Sequence, residues 1–91
     1  MAVAVRLPTL LRAHADGAAS VDAGGETVGE VFADLTTRFP GLADRLVSPD
    51  GGLHKFVNVY RNDDDIRYLD GLETKVADGD TISILPAVAG G

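Results

Sequence analysis

Residues 27–39 restrict the folds open to this chain more than any other segment. Thr27 and Glu30 stand at the spacing of a capping box, in which each side chain satisfies a free backbone amide at a helix start. Val28, Val31, Phe32, Leu35 and Phe39 recur at helical spacing and make one continuous apolar stripe. Pro40-Gly41 then ends the helix. A stripe of that width has to be covered, and the strand-like segments on either side of it supply a sheet.

Val3-Ala4-Val5-Arg6-Leu7 alternates with period two and stops at Pro8, which cannot continue a sheet ladder. The stretch that follows is rich in Ala, Asp and Gly, and Ser20-Val21-Asp22-Ala23 reads as a second strand closed by Gly24-Gly25, so the two make a hairpin. A short apolar piece, residues 42–46, follows the helix, and Ser48-Pro49-Asp50-Gly51-Gly52 has the composition of a loop. Phe56-Val57-Asn58-Val59-Tyr60 is β-branched and aromatic and therefore a strand. Asn62-Asp63-Asp64-Asp65 turns the chain, Ile66-Arg67-Tyr68 pairs back as a short strand, and residues 71–76 form a turn or a short helical piece.

The last strand is Thr81-Ile82-Ser83-Ile84-Leu85, launched by Asp78-Gly79-Asp80 and stopped by Pro86. Ile82 and Ile84 share one face and join Val3, Val5 and Leu7 beneath the helix, whereas Leu85 points the other way and is a candidate partner surface. Both faces of residues 56–60 carry apolar side chains, so either can join Leu85. The order strand, strand, long helix, strand, short strand, strand gives a two-layer α+β domain, a β-grasp (ubiquitin-like) fold with a mixed sheet and one main helix. Residues 1–86 make the domain and 87–91 a flexible tail.

With 91 residues the chain buries a little over ~60% of its unfolded surface, enough for one modest core. It has no cysteine, which removes disulfides, thiolate metal sites and a cysteine nucleophile together. No run approaches the ~20 apolar residues of a membrane span and no signal peptide opens the chain, so no membrane and a cytoplasmic address are expected. A net charge of -6 with scattered basic residues argues against nucleic acid, and it can steer the chain towards a basic partner surface.

Side-chain catalysis finds no constellation. His14 and His54 are isolated in loop-like sequence and read as surface histidines. Asp63-Asp64-Asp65 lacks the spaced ligands and terminal Glu of a calcium loop and reads as a solvated turn. Gly24-Gly25 precedes a helix but lacks the Lys-Ser/Thr of a phosphate loop, and a hairpin turn accounts for it. No metal site and no enzyme activity of its own are expected.

The tail is chemically more distinctive. Fraying is the usual fate of chain ends, yet Gly90-Gly91 follows a strand that the core holds in place. From Pro86 to Gly91 the chain can extend up to ~20 Å, beyond the roughly 12 Å radius of gyration expected at this size. Such a tip can enter a narrow channel, because glycine leaves the carboxyl carbon open to a nucleophile.

The closing run Asp78-Gly79-Asp80-Thr81-Ile82-Ser83-Ile84-Leu85-Pro86-Ala87-Val88-Ala89-Gly90-Gly91 resembles that of the ubiquitin-like sulfur carriers of the MoaD/ThiS type. Phe56-Val57-Asn58-Val59-Tyr60-Arg61-Asn62-Asp63-Asp64-Asp65-Ile66-Arg67 and the Ala-Val-Ala-Gly-Gly ending most resemble the actinobacterial cysteine-biosynthesis branch. The resemblance implies that a ubiquitin-activating-type adenylyltransferase/sulfurtransferase adenylates the Gly91 carboxylate, and that a sulfur donor then converts it to a thiocarboxylate. Ala87, Val88, Ala89 and Gly90 would thread into the partner's active site. The sulfur would attack an aminoacrylate on a pyridoxal-phosphate cysteine synthase, and a metalloprotease would release the cysteine.

ATP, metal and pyridoxal phosphate would come from the partners, with no cofactor bound by the chain itself. As the sequence ends at Gly91, no proteolytic maturation is expected. The alternatives are the small subunit of molybdopterin synthase, a carrier shared with other sulfur-accepting synthases of specialised metabolism, and a non-carrier ubiquitin-like binding module. The thiamine-pathway carrier is disfavoured by length.

Overall fold

A computed structural model describes residues 2–47 and 57–86. The strands are β1 (Ala2–Arg6), β2 (Ser20–Gly24), β3 (Val57–Arg61), β4 (Asp64–Asp65) and β5 (Thr81–Pro86). The helices are α1 (Thr9–Arg12), α2 (Val28–Arg38) and α3 (Ala43–Leu46). The sheet order is β2-β1-β5-β3-β4. β1 pairs parallel with β5, and the other neighbours are antiparallel.

The helix 27–39 forms as its sequence requires, with one change at its start. Thr27 Oγ1 accepts the Glu30 amide at 3.2 Å, while Glu30 Oε1 accepts from the Glu26 amide at 3.0 Å, one residue earlier than in a capping box. Val28, Val31, Phe32 and Leu35 are buried against the sheet. Phe39 lies just past the helix and packs half-buried on the same core.

Opposite them sit Val3 and Val5 of β1, Ile82 and Ile84 of β5, and Val57 and Val59 of β3, each almost inaccessible to solvent. Period-two alternation therefore puts Asn58, Tyr60, Ser83 and Leu85 on the outer sheet face. That settles the faces of 57–60, while Phe56 lies outside the described residues.

The connections depart from expectation at several points. The Ala- and Asp-rich span after β1 holds α1 and a 3-10 turn at Ala13–Ala15, whose Leu11 and Ala15 enter the core. Gly24 ends β2 and Gly25 leads into α2, so the glycine pair is a strand-to-helix link rather than a hairpin turn. Gly25 has φ +155°, and a Cβ there would stand 2.8 Å from Glu30 Cβ and from the Val31 backbone nitrogen. Only glycine lets β2 pass so close to the helix start.

The expected strand at Ile66-Arg67-Tyr68 is a 3-10 turn, and the strand that pairs back is Asp64–Asp65. Asp65 Oδ1 accepts the Arg67 amide at 2.9 Å, and this local bond draws the backbone out of the ladder. The segment 71–76 opens with a 3-10 turn at Gly71–Glu73, and residues 42–46 make α3 with the turn before it. The loop at 48–52 lies outside the described residues.

Candidate functional site at the end of the last strand

β5 is held at its start by one carboxylate. Asp80 accepts the Ala77 amide at 2.8 Å and Arg61 Nε at 2.9 Å on Oδ2, and Asn62 Nδ2 at 3.3 Å on Oδ1. The Ala77 amide, joined by Asn62 and Arg61, holds the Asp80 carboxyl below its ordinary value despite partial burial, which pushes the other way. Asn62 returns the contact, its Oδ1 accepting the Thr81 backbone amide at 3.1 Å while its backbone N–H donates to Thr81 O at 2.7 Å. This arrangement holds Asn62 at φ 55°, a left-handed conformation that asparagine tolerates.

The same turn is tied to the chain start. Ala2 N donates to Asp78 Oδ1 at 3.0 Å, Gly79 N to Ala2 O at 3.1 Å and Ala4 N to Asp80 O at 3.1 Å. Gly79 at φ +89° closes the turn. Asp78-Gly79-Asp80 thus fixes where β5 enters the sheet.

The far end of β5 is held on one side. β3 follows it to the last residue, with Val59 opposite Ile84, Asn58 opposite Leu85 and Val57 opposite Pro86. β1 follows it only as far as Arg6 opposite Ser83. Leu7 N still donates to Ala19 O at 2.9 Å, continuing the register with β2, but Pro8 has no amide to offer β5 and α1 begins at Thr9, so the β1–β5 ladder stops there. Pro86 is therefore itself paired with Val57, at the end of the described part of the strand.

Where β1 departs, a groove opens between the end of β5 and α1, lined by Leu10, Leu85, Pro86, Pro8, Arg6 and Arg12 among others. Leu85 is 46% exposed and Leu10 63%. The outward placement of Leu85 agrees with the alternation of its strand. Gly91 and the threading residues Ala87, Val88, Ala89 and Gly90 lie outside the described residues, as does His54. His14 is half-buried beside Gly41, not on the open surface: a Cβ on Gly41 would come within 3.1 Å of its Nδ1.

Arg6, Arg12 and Leu10 carry no sequence signal as a group. Basic residues that look scattered along the chain are brought to one groove by the parallel β1–β5 pairing and the α1 turn. The outward phase of Arg6 within β1 was the one available clue. Among the described residues no three His, Cys, Asp or Glu side chains gather to hold a metal, and no helix is long and apolar enough to cross a membrane.

The helix on a five-stranded sheet of this order, with the last strand at its centre, defines a ubiquitin-like β-grasp protein. The chain matches the ThiS family over residues 5–91 and belongs to it. It is 52% identical over 93 aligned residues to "Sulfur carrier protein CysO" of Mycobacterium tuberculosis, with all of both chains covered. A chain in the crystal structure of the Amycolatopsis orientalis BexX/CysO complex is 53% identical with a TM-score of 0.89, covering 98% of this chain and 99% of that one. The small archaeal modifier protein 1 of Methanosarcina acetivorans is 35% identical with a TM-score of 0.85, covering 99% and 96%. These relatives are named as carriers and modifiers, and they support a sulfur-carrier role for this chain.

Proposed function

We propose that the chain carries sulfur as a thiocarboxylate on Gly91 and delivers it to cysteine biosynthesis. The observation that carries this reading is full-length similarity to a sulfur carrier, in a family match that runs through the terminal glycine. The anchoring of β5 at Asp80 and along β3 supports it, since a tail reacting in another protein's active site needs a fixed point of departure.

The chemistry proceeds in balanced steps. A Gly91 carboxylate oxygen attacks the α-phosphorus of ATP, releasing pyrophosphate and leaving an acyl adenylate. A sulfur donor then displaces AMP, so that a C–S bond replaces the C–O bond. The thiocarboxylate sulfur adds to the β-carbon of a dehydrated serine held by a pyridoxal-phosphate synthase, giving a thioester. The freed cysteine amine lies within intramolecular reach of the thioester carbonyl, so transfer from sulfur to nitrogen needs no second encounter. A metalloprotease hydrolyses the resulting amide.

In this scheme ATP, metal and pyridoxal phosphate belong to the partners: an adenylyltransferase/sulfurtransferase, a synthase and a protease. The chain 53% identical to this one comes from a BexX/CysO complex, which supports the expectation of a protein partner. Intact-protein mass spectrometry tests the reading. With ATP, a sulfide donor and the activating enzyme, sulfur replaces oxygen at Gly91; with synthase and activated serine, a cysteine residue is added after it. A chain extended by one residue beyond Gly91 gains neither. Sulfur passing only to a molybdopterin precursor, with no cysteine adduct, would overturn the pathway, and activation of the extended chain would overturn the carrier chemistry.

A further inference from the structure

The groove beside the end of β5 differs in charge from the rest of the chain. Acidic residues outnumber basic ones 14 to 8 in the sequence, yet among the described residues two arginines and no carboxylate line the groove. Arg6 is exposed on the outer face of β1, next to Ser83. Arg12 is half-buried and is held by its Nε, which donates to Leu7 O at 3.2 Å, so its remaining guanidinium donors sit on a preset frame. Between and beside them stand Leu10, Leu85, Pro8 and Pro86.

We propose that this groove binds a carboxylate-bearing apolar segment of a partner protein, the apolar residues resting on Leu10 and Leu85 and the carboxylates facing Arg6 and Arg12. Charge complementarity selects the occupant. A basic segment would meet two guanidinium groups, and a purely apolar one would cover them without pairing, which is costly when they are desolvated. An acidic one pairs both, and the guanidinium fork matches a carboxylate with two parallel bonds. The partner is also constrained by shape, because the side of Ile84–Pro86 away from β3 has no strand beside it among the described residues and admits an extended segment. The inference rests on the carrier reading, since a grip next to the tail serves a partner that acts on the tail, but the groove is measurable without any reaction at Gly91.

The test uses the isotope-labelled full chain and an acetylated, amidated octapeptide of three glutamates, three leucines and two glycines. The control carries glutamine in place of glutamate. The acidic peptide should shift the backbone amides of Leu10, Ser83 and Leu85 in a saturable titration, and the neutral one should bind several-fold more weakly. Arg6→Gln should weaken the acidic peptide by up to about fivefold, the upper end for an exposed ion pair, and Arg6→Lys should restore part of it. Arg12→Gln is a second variant, read only if its thermal melt matches the parent, because Arg12 also braces Leu7. Leu10→Ser, at an exposed site, should weaken both peptides.

Equal affinity for the acidic and neutral peptides would overturn the proposal, as would a shift map on another face. Two other occupants would also overturn it. The same amides shifting with protein concentration would assign the groove to a second copy. A gain in peptide affinity on removing residues 87–91, with the same amides shifting, would assign it to the chain's own tail. Any of these results leaves sulfur loading of Gly91 untouched, so failure of the groove and failure of the carrier reading are separately visible.

Discussion

Asp80→Asn isolates the charge that anchors the last strand. The substitution keeps an oxygen acceptor for one neighbour but removes the negative charge faced by Arg61 at 2.9 Å and the Ala77 amide at 2.8 Å. A hydrogen bond to a charged group contributes about 1.5–3 kcal/mol when shielded, while exposed ion pairs give about 0.2–1 kcal/mol. Here the Arg61 side chain is 32% exposed and that of Asp80 14%, between those limits. We expect a loss of about 1–2 kcal/mol at neutral pH, and hence a fall in Tm of roughly 5–15 °C for a domain of this size. The sign of the pH dependence follows from the lowered carboxyl. Its contribution is fully present above the unfolded-state value of about 3.9 and is lost as pH falls through the lower folded-state value. Urea denaturation of parent and variant, at steps from neutral down to about pH 3, should show the gap closing at the acid end. A gap that stays constant across that range, or a variant as stable as the parent at neutral pH, would refute the assignment of Asp80 as the anchor.

Phe32→Ala should cost about 3–5 kcal/mol by urea denaturation, because Phe32 is among the largest fully buried side chains under the helix. Gly25→Ala should destabilise by about 1–3 kcal/mol, since the new Cβ meets the Val31 backbone at 2.8 Å and neither chain segment can retreat without breaking the β2–α2 approach. Leu85→Asp should leave Tm nearly unchanged, as the side chain is 46% exposed, while weakening affinity for the activating enzyme by about tenfold or more in a pull-down or calorimetric titration. A melting loss that matches the binding loss would remove Leu85 from the partner surface.

Periodicity exposed the parts of this fold that depend on one segment at a time. The helical stripe at 28–35, the alternation of β1 and the phase of Ile82, Ile84 and Leu85 all reappear in the structure because each is set by which side faces a single core. The elements misread are those where a side chain competes with the ladder. At Asp65 the carboxylate captures the Arg67 amide and turns a strand-like Ile-Arg-Tyr into a 3-10 turn. At Thr9–Arg12 a helix of four residues has no side-chain cap to announce it. The faces of β3 were ambiguous because Phe56 and Tyr60 alternate with Val57 and Val59, so both faces carry apolar side chains, and only the pairing with β5 fixes the phase. The groove was invisible for a different reason: Arg6 and Leu85 are brought together only by the parallel β1–β5 pairing, a contact between the two ends of the chain. The reading of the tail rests on the sequence alone, because Ala87 to Gly91 lie outside the described residues and the proposed chemistry resides in a terminal carboxylate rather than in a spatial constellation.

If residues 87–91 thread into a partner as proposed, the energetics assign work to the globular body. Ordering five residues in another protein's channel costs about 1–2 kcal/mol of backbone entropy each, or roughly 5–10 kcal/mol together. Ala87, Val88, Ala89, Gly90 and Gly91 have little apolar surface with which to offset that, since only one of the five is larger than alanine. Small residues suit the narrow active site of the proposed reaction, so affinity could not be increased within the tail without obstructing it. The compensating contacts have to come from the domain, and those close to Pro86 are the most effective, because a short span between grip and reacting carboxylate raises the effective concentration of one at the other. The half-open end of β5 is where this fold can provide them. β3 holds the strand through Pro86, β1 withdraws after Arg6, and the space it vacates presents Leu10 and Leu85 with two guanidinium groups beside the point where the tail departs. On that reading, the end of the β1–β5 ladder at Pro8 links a backbone constraint at the start of the chain to the chemistry proposed at its end.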